Sequence, residues 1–406
     1  MDLTNHQQLK LKECIDILKV SDRLLIKGSA GVGKSTLVDF LLNKLTVSND
    51  QLIYCTAPTN KAVIELKNKI TTEVEFATLH SVLKMKKSVD YKTGAITFIS
   101  SYSEKDPPLK NVKYLIVDEC SMVGANMLTI LEHHASLNNI TIIALGDEKQ
   151  LNPVKEDNSP IFHKHYSTVE LTEIVRQKEN SPIITLSNDL KTIANKEDCF
   201  VNDTGYVYTE DLDRIIDKLA NDNTCRYLAY TNEEVNDVNQ KVRNYLYNFP
   251  NKIEKKELLI FNTPYKEYYT NQEIIINELI IADCVFEYKN KGKETKKITY
   301  KCYIVNGSIR VLHESQEQFF RVFLVQLKEK IKKKEISWKD YYDFLDNFAD
   351  LTYSYATTIH RAQGSTYTTA IINIANVNTN RNIEERKRLL YTAVTRPSKL
   401  LILYNV

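Results

Sequence analysis

The sequence predicts an α/β protein made of two parallel-sheet domains in tandem, each interrupted by an inserted segment. Three observations predict it. A glycine-rich stretch, Gly28-Ser29-Ala30-Gly31-Val32-Gly33-Lys34-Ser35-Thr36, sits between an apolar run at Leu24, Leu25 and Ile26 and an amphipathic one over residues 37–45. Apolar runs of strand length recur at residues 52–56, 114–117, 141–145, 225–230, 370–374 and 400–404, with helical patterns between them, which is the alternation of parallel sheets. The chain has 406 residues, beyond the size at which one hydrophobic core usually stops growing.

Composition bounds the function before any motif does. Hydrophobic content of 43% and charged content of 26% describe an ordinary globular chain. A net charge of +2 gives no global basic field, so a nucleic-acid surface has to be a local groove. The seven cysteines (Cys14, Cys55, Cys120, Cys199, Cys225, Cys284 and Cys302) are scattered without a C-x-x-C pair. That pattern argues against a disulfide framework or a zinc site and suits a reducing cytoplasm. Neither a signal peptide nor an apolar run of membrane-spanning length is expected.

The elements follow in order. Thr4 is placed to N-cap a helix patterned by Leu9, Ile15 and Leu18. Gln7 on its first turn offers a donor and an acceptor that match an adenine edge, or it is a solvated helix-start glutamine; residue type alone decides for the second. The glycine-rich stretch, in a strand–loop–helix context, is a phosphate-binding loop. Its backbone N–H groups turn inward, the helix adds its positive end, Lys34 reaches the β- and γ-phosphates, and Ser35 offers its hydroxyl to Mg²⁺. The chain is therefore expected to bind a nucleoside triphosphate.

Pro58 closes the next strand, and Thr59-Asn60 cap a helix from Lys61; Thr78-Leu79-His80-Ser81 is a second polar corner of this type. Residues 85–110 form a small excursion with a hairpin at 90–98 and a glycine in its turn. Residues 114–117 end in Asp118-Glu119, where one carboxylate holds Mg²⁺ and the other takes a proton from the attacking water. Residues 141–145 end before Gln150, a candidate γ-phosphate sensor, and Arg176 follows as a candidate second cation; taken alone, either reads as a surface residue. A helix is expected over 183–194, then a strand at 225–230 and a helix over 233–246. Residues 249–312 are β-like, with strands at 258–261, 273–281, 285–288 and 300–305 and a lysine-rich turn at 289–297. Helices over 317–334 and 338–348 complete an insertion, after which the α/β pattern resumes near Tyr353 and ends with a helix over 386–393 and the last strand.

In this order the polar corners resemble the motifs of the superfamily 1 helicases: residues 28–36, 57–62, 78–81, 118–122, 146–150, 171–177, 358–364 and 391–396. Thr358-Ile359-His360-Arg361-Ala362-Gln363-Gly364 with Ala393-Val394-Thr395-Arg396 resembles the RecD-like branch. The resemblance implies two RecA-like domains and an ATP-dependent DNA helicase moving 5′→3′ on single-stranded DNA. It implies that Gln7 reads adenine, that Gly364 joins the nucleotide site, that Gln150 senses the γ-phosphate, and that Arg176 and Arg396 place charge on it, Arg396 as an arginine finger. Pro58, Thr59, Asn60 and His80, then Thr231, Asn232, Thr358, His360 and Gln363, would track the single strand. A strand-separating pin is implied between His80 and Asp118, with Phe98 its first candidate ring and Tyr91 its second; alternatively both rings pack the hairpin onto the first domain. The domains would be 1–84 with 111–180 (1A), 85–110 (1B), 181–248 with 352–406 (2A) and 249–351 (2B). Partners would be single-stranded DNA and single/double-strand junctions, and replication or single-strand-binding proteins, with the chain itself a monomer. Two departures stand out: Arg361-Ala362 replaces a lysine and a serine, and Pro397 after Arg396 removes a backbone N–H. The rivals are a P-loop kinase or ATPase indifferent to DNA, a translocase that does not unwind, and a DNA-binding module with a vestigial site.

Overall fold

Leucine-, isoleucine- and valine-rich runs too apolar to face water on either side form the first sheet of the computed structural model. The structure describes residues 3–45, 47–48, 50–89, 96–102, 107–153, 156–173, 182–194, 196–201, 203–248, 250, 252–289 and 295–406. Strands β1 (Arg23–Gly28), β2 (Leu52–Ala57), β3 (Glu75–Thr78), β4 (Met85–Val89), β5 (Ile96–Ser100), β6 (Val112–Val117), β7 (Thr141–Gly146) and β8 (Ser167–Leu171) follow in the chain. Six of them make a sheet in the order β3-β2-β6-β7-β1-β8 with every pairing parallel. Alternation along a strand sends Leu24 and Ile26 to one core, with Leu37, Leu41 and Cys55, and Leu25 to another, with Leu128 and Leu131. Each such fully buried side chain contributes about 1.5–3 kcal/mol, so the sheet provides the stability on which strained loops at its edge rest.

Because the strands are parallel, all of their carboxyl ends lie on one edge. Gly28, Ala57, Thr78, Val117 and Gly146 end their strands there, and the polar corners begin at that edge. This is the expected arrangement. The strand β8 was not expected: only Val169 and Leu171 in it are buried, too few for an apolar run to stand out.

A second sheet runs in the order Ala356–Thr358, Cys225–Ala229, Tyr367–Asn373, Pro397–Tyr404, Thr204–Thr209, Cys199–Val201. Tyr367–Asn373 pairs in parallel with Pro397–Tyr404, which pairs in parallel with Thr204–Thr209. The two sheets agree with the expected α/β class of two RecA-like domains. The chain divides into two compact units: residues 1–210, 228–231 and 358–406 in the first, and 211–227 and 232–357 in the second.

Three differences from expectation have local causes. The helix expected over 183–194 is Pro182–Asn188 followed by a 3₁₀ segment Leu190–Ala194, because Asp189 Oδ1 accepts the Lys191 N–H (3.2 Å) and starts a new turn. The strand expected over 273–281 is split into Glu273–Ile275 and Leu279–Lys289, which belong to different sheets. The N–H groups of Asn277 and Glu278 both donate to Asn306 Oδ1 (2.9 and 3.1 Å), so this stretch bonds a side chain instead of a strand. The helix Leu212–Asn221, capped by Asp211, was not expected at all.

In the second unit, Leu279–Lys289 and Thr295–Val305 form the ribbon expected around the lysine-rich turn. They pack on Glu317–Lys332 and Trp338–Leu345 through Phe286, Tyr300, Phe323 and Phe344. In the first unit, β4 and β5 pair antiparallel from Met85↔Ser100 to Val89↔Ile96, a hairpin whose first arm precedes the expected 90–98. Its tip, with Tyr91, and the side chain of Phe98 lie outside the described residues, as does Arg176. Among the described residues no helix is long and apolar enough to cross a membrane.

Candidate functional site

The phosphate-binding loop is built as its glycines require. Gly33 has φ 78° and caps the helix Lys34–Leu42, and a Cβ there would lie 2.4 Å from Gln7 Nε2. Gln7 is not solvated: it is 1% exposed, its Oε1 accepts the Thr4 N–H (3.1 Å), and its Nε2 donates to the Val32 carbonyl (3.2 Å). The first helix is thereby tied to the loop by a capping box whose glutamine also braces Val32. Lys34 Nζ donates to the Gly28 and Ser29 carbonyls (2.6 and 2.9 Å), which hold the cation over the loop.

A cavity of ≈ 290 Å³ opens on this loop. Ala30, Gly31, Gly33, Lys34, Ser35 and Thr36 line one side with Asp118, Glu119 and Gln150; Gly364, Ser365, Thr366, Thr395 and Arg396 of the same unit line the other. Gly364 has φ 74°, and a Cβ on it would meet Ala62 Cβ at 3.2 Å. Asp118 Oδ1 accepts the Glu119 N–H (2.8 Å), and Glu119 itself sits in the left-handed region (φ 49°, ψ 42°), a strained conformation for a side-chain-bearing residue. Burial raises the pKa of both carboxyls; Asp118 adds to the rise at Glu119, while Arg396 and Lys34 oppose it.

The far wall is wired to the near one. Gln363, 5% exposed, donates from Nε2 toward Ser121 Oγ (3.4 Å) and Gln150 Oε1 (3.5 Å). Tyr391 OH donates to Asp147 Oδ2 (2.7 Å), both groups buried. The Leu151 N–H donates to Thr392 Oγ1 (3.3 Å), and Arg388 donates to the carbonyls of Glu148 and Gln150. Arg396, 5% exposed, donates to the Thr392 carbonyl (2.9 Å), the Ser365 carbonyl (3.2 Å) and Thr395 Oγ1 (2.9 Å). Pro397, which lacks an N–H, begins the last strand directly after it. The Tyr391–Asp147 bond carries no sequence signal, since its partners lie 244 residues apart.

The polar corners share one device. Thr59, Thr78 and Thr358 each end a strand or its turn and N-cap a short helix, accepting the N–H of Ala62 (3.2 Å), Ser81 (3.2 Å) and Arg361 (3.3 Å). A capping hydroxyl accepts with its oxygen and keeps its proton to donate. Pro58 and Asn60 flank the first corner and half-buried His80 the second, where burial pulls its imidazole below the ordinary value. His360 is exposed at the third, with Nε2 3.6 Å from Glu385. Thr231 exchanges hydrogen bonds with Asn376: its N–H donates to Oδ1 (3.2 Å) and its Oγ1 accepts from Nδ2 (3.0 Å). Asn232 begins the helix Asn232–Tyr247 of the second unit. One residue without a sequence signal stands out near the second corner: Tyr102, 48% exposed, lines a groove with His80, Lys84 and Lys86, its ring edge-on to His134 (5.3 Å).

A profile of the AAA domain family matches residues 4–214, more than half of the chain. The chain belongs to that AAA family. In this AAA protein a second profile, the UvrD-like helicase C-terminal domain, matches residues 353–404. The ATP-dependent DNA helicase dda of Enterobacteria phage T4 is 27% identical to it over 97% of both chains. The ATP-dependent DNA helicase Pif1 of Campylobacter jejuni is 27% identical over 84% of this chain and 81% of its own. A crystal structure of Pif1 helicase from Bacteroides in complex with ADP-AlF3 and ssDNA has a TM-score of 0.55 at 18% identity, covering 99% of this chain and 92% of the other. As the order of its motifs implies, the AAA protein is similar to the superfamily 1 helicases of the Dda and Pif1 kind.

Proposed function

We propose that this chain hydrolyses ATP in the Lys34–Arg396 cleft and uses the cycle to move 5′→3′ along single-stranded DNA, unwinding duplex ahead of it. One observation carries the reading: a single cavity brings Lys34, Glu119 and Gln150 against Gly364 and Arg396, residues some 200 positions or more further along the chain. A kinase or a free-standing ATPase leaves the buried Gln363–Gln150 contact and Arg396 without a task. Ser35 and Asp118 would hold Mg²⁺, which offsets charge on the phosphates. Lys34 and Arg396, joined by Arg176, bear on the transferred phosphoryl group, Gln150 senses it, Glu119 takes the proton of the attacking water, and Gln7 reads the base. The threonine corners would donate to phosphates of the tracked strand, with Pro58, Asn60, His80, Asn232, Thr231, His360 and Gln363 beside them. The division into 1A, 1B, 2A and 2B would assign motor, pin, second motor half and insertion.

The test is ATP turnover with and without single-stranded DNA, then unwinding of duplexes with a 5′ or a 3′ tail. Turnover stimulated by DNA and unwinding from the 5′ tail are expected. Turnover indifferent to DNA would replace the helicase reading by the plain ATPase one, and unwinding from a 3′ tail alone would reverse the polarity. The hairpin is proposed as the pin. Phe98→Ala is expected to keep DNA-stimulated ATPase and translocation and to lose unwinding, since stacking is worth about 1–3 kcal/mol per base against a mean of about 1.4 kcal/mol per base-pair step. Loss of all three activities with a lowered melting temperature would make Phe98 core.

A further inference from the structure

Among the described residues three buried side-chain polar atoms have no hydrogen-bond partner: Tyr300 OH, Asn380 Nδ2 and Ser365 Oγ. Of these only Ser365 lines the nucleotide cleft. The residue is 1% exposed and its backbone is fully engaged: its N–H donates to the Ala362 carbonyl (3.0 Å), and its own carbonyl accepts from Arg396 Nη1 (3.2 Å). The fold therefore fixes the residue at both ends and leaves the hydroxyl unpaired, although alanine would fill the same place without the cost of desolvating an O–H. An unmet donor in a cleft is a site for an acceptor that arrives from outside. Gly364 and Arg396 line the same cavity, whose other cations include Lys34 and whose carboxylates include Asp118 and Glu119.

We propose that Ser365 is a nucleotide-binding residue whose hydroxyl donates to an oxygen of the terminal phosphate of the bound triphosphate; this rests on the ATP-cleft reading above. The bond would be made in the triphosphate complex and lost with the diphosphate. It would report the γ-phosphate to the same segment that carries Arg396, through the Ser365 carbonyl.

The test uses the full chain, wild type and Ser365→Ala, with Mg²⁺. Equilibrium binding of ADP and of adenylyl imidodiphosphate, a non-hydrolysable triphosphate, is compared, and the nucleotide-free melting temperature is measured. A hydrogen bond to a charged acceptor corresponds to roughly a ten- to hundredfold change in affinity. The expected result is a loss of that size for the triphosphate, unchanged ADP affinity, and a melting temperature that does not fall, since no native bond is removed. Three results overturn the proposal: unchanged triphosphate affinity, equal weakening of both nucleotides, or a lowered melting temperature, which would show that the hydroxyl has a partner within the fold. A wild-type chain that binds no triphosphate would instead remove the ATP-cleft reading itself.

Discussion

Glu119→Gln is expected to bind ATP and single-stranded DNA almost as the parent does and to hydrolyse ATP about 10²–10⁴-fold more slowly, the range a positioned general base supplies. The substitution keeps shape and hydrogen-bonding length and removes only the proton acceptor. The backbone argues for the same role: a glutamate held at φ 49° at the end of a buried strand keeps a conformation that an unconstrained turn would avoid. The pH profile supplies an independent readout. Burial and the neighbouring Asp118 carboxylate raise the Glu119 pKa, so its ionised, basic form is lost at a higher pH than an ordinary carboxylate would be. The value of kcat/KM for ATP, which reports the free enzyme, should therefore decline as pH falls through that raised pKa. The Gln variant should lack this acid limb. Near-parental turnover in the presence of DNA would remove Glu119 from the reaction.

What was legible in the sequence follows from what leaves a local trace. A phosphate loop needs glycines at fixed spacing, and a buried parallel strand needs a continuous apolar run. Gly28 to Ser35, the strands expected at 24–26, 114–117 and 141–145, and the carboxylates at the end of β6 could therefore be placed without coordinates, the strands running one to two residues further at their ends in the structure. The same holds for Thr59 and Thr78, because a hydroxyl before a helical pattern has few other uses. What could not be read is tertiary. Gln7 looks like any helix-start glutamine until Val32 is seen to accept from it. Tyr391 and Asp147 announce nothing separately, and the unpaired hydroxyl of Ser365 is defined by the absence of a neighbour. Strand β8 escaped because its burial is only alternate, and the break at Asn277 because its cause, Asn306, lies 29 residues away in the turn after another strand.

The links across the cleft also bear on how a nucleotide would be felt beyond it. Gln150 meets Gln363, Leu151 meets Thr392, and Arg388 holds the carbonyls of Glu148 and Gln150, so the segment after β7 is bonded to the helix Ile383–Val394 at several points. A ligand that changes the position of Gln150 must disturb these bonds or carry the helix with it. A ligand-driven cycle would require a second arrangement of this network that the nucleotide favours over the present one.

Arg396→Ala tests the far wall with the largest expected effect. DNA-stimulated kcat should fall by about 10³–10⁵, the contribution of an arginine finger, while ATP affinity changes modestly. The three bonds of the guanidinium complicate a simple loss-of-charge reading, because its removal leaves the Thr392 and Ser365 carbonyls without that donor. Arg396→Lys separates the two effects. Lysine keeps the charge but not the planar fork, so it should recover part of any loss in melting temperature and little of the rate. The acid limb gives a second discriminator. Arg396 lowers the Glu119 pKa, and without it that pKa rises further, so in Arg396→Ala the decline of kcat/KM should begin at a higher pH than in the parent. A merely structural arginine would lower the melting temperature without a fall in kcat of this size. Retention of the parental kcat, with the limb unmoved, would place Arg396 outside the reaction and leave the cleft without its cationic far wall.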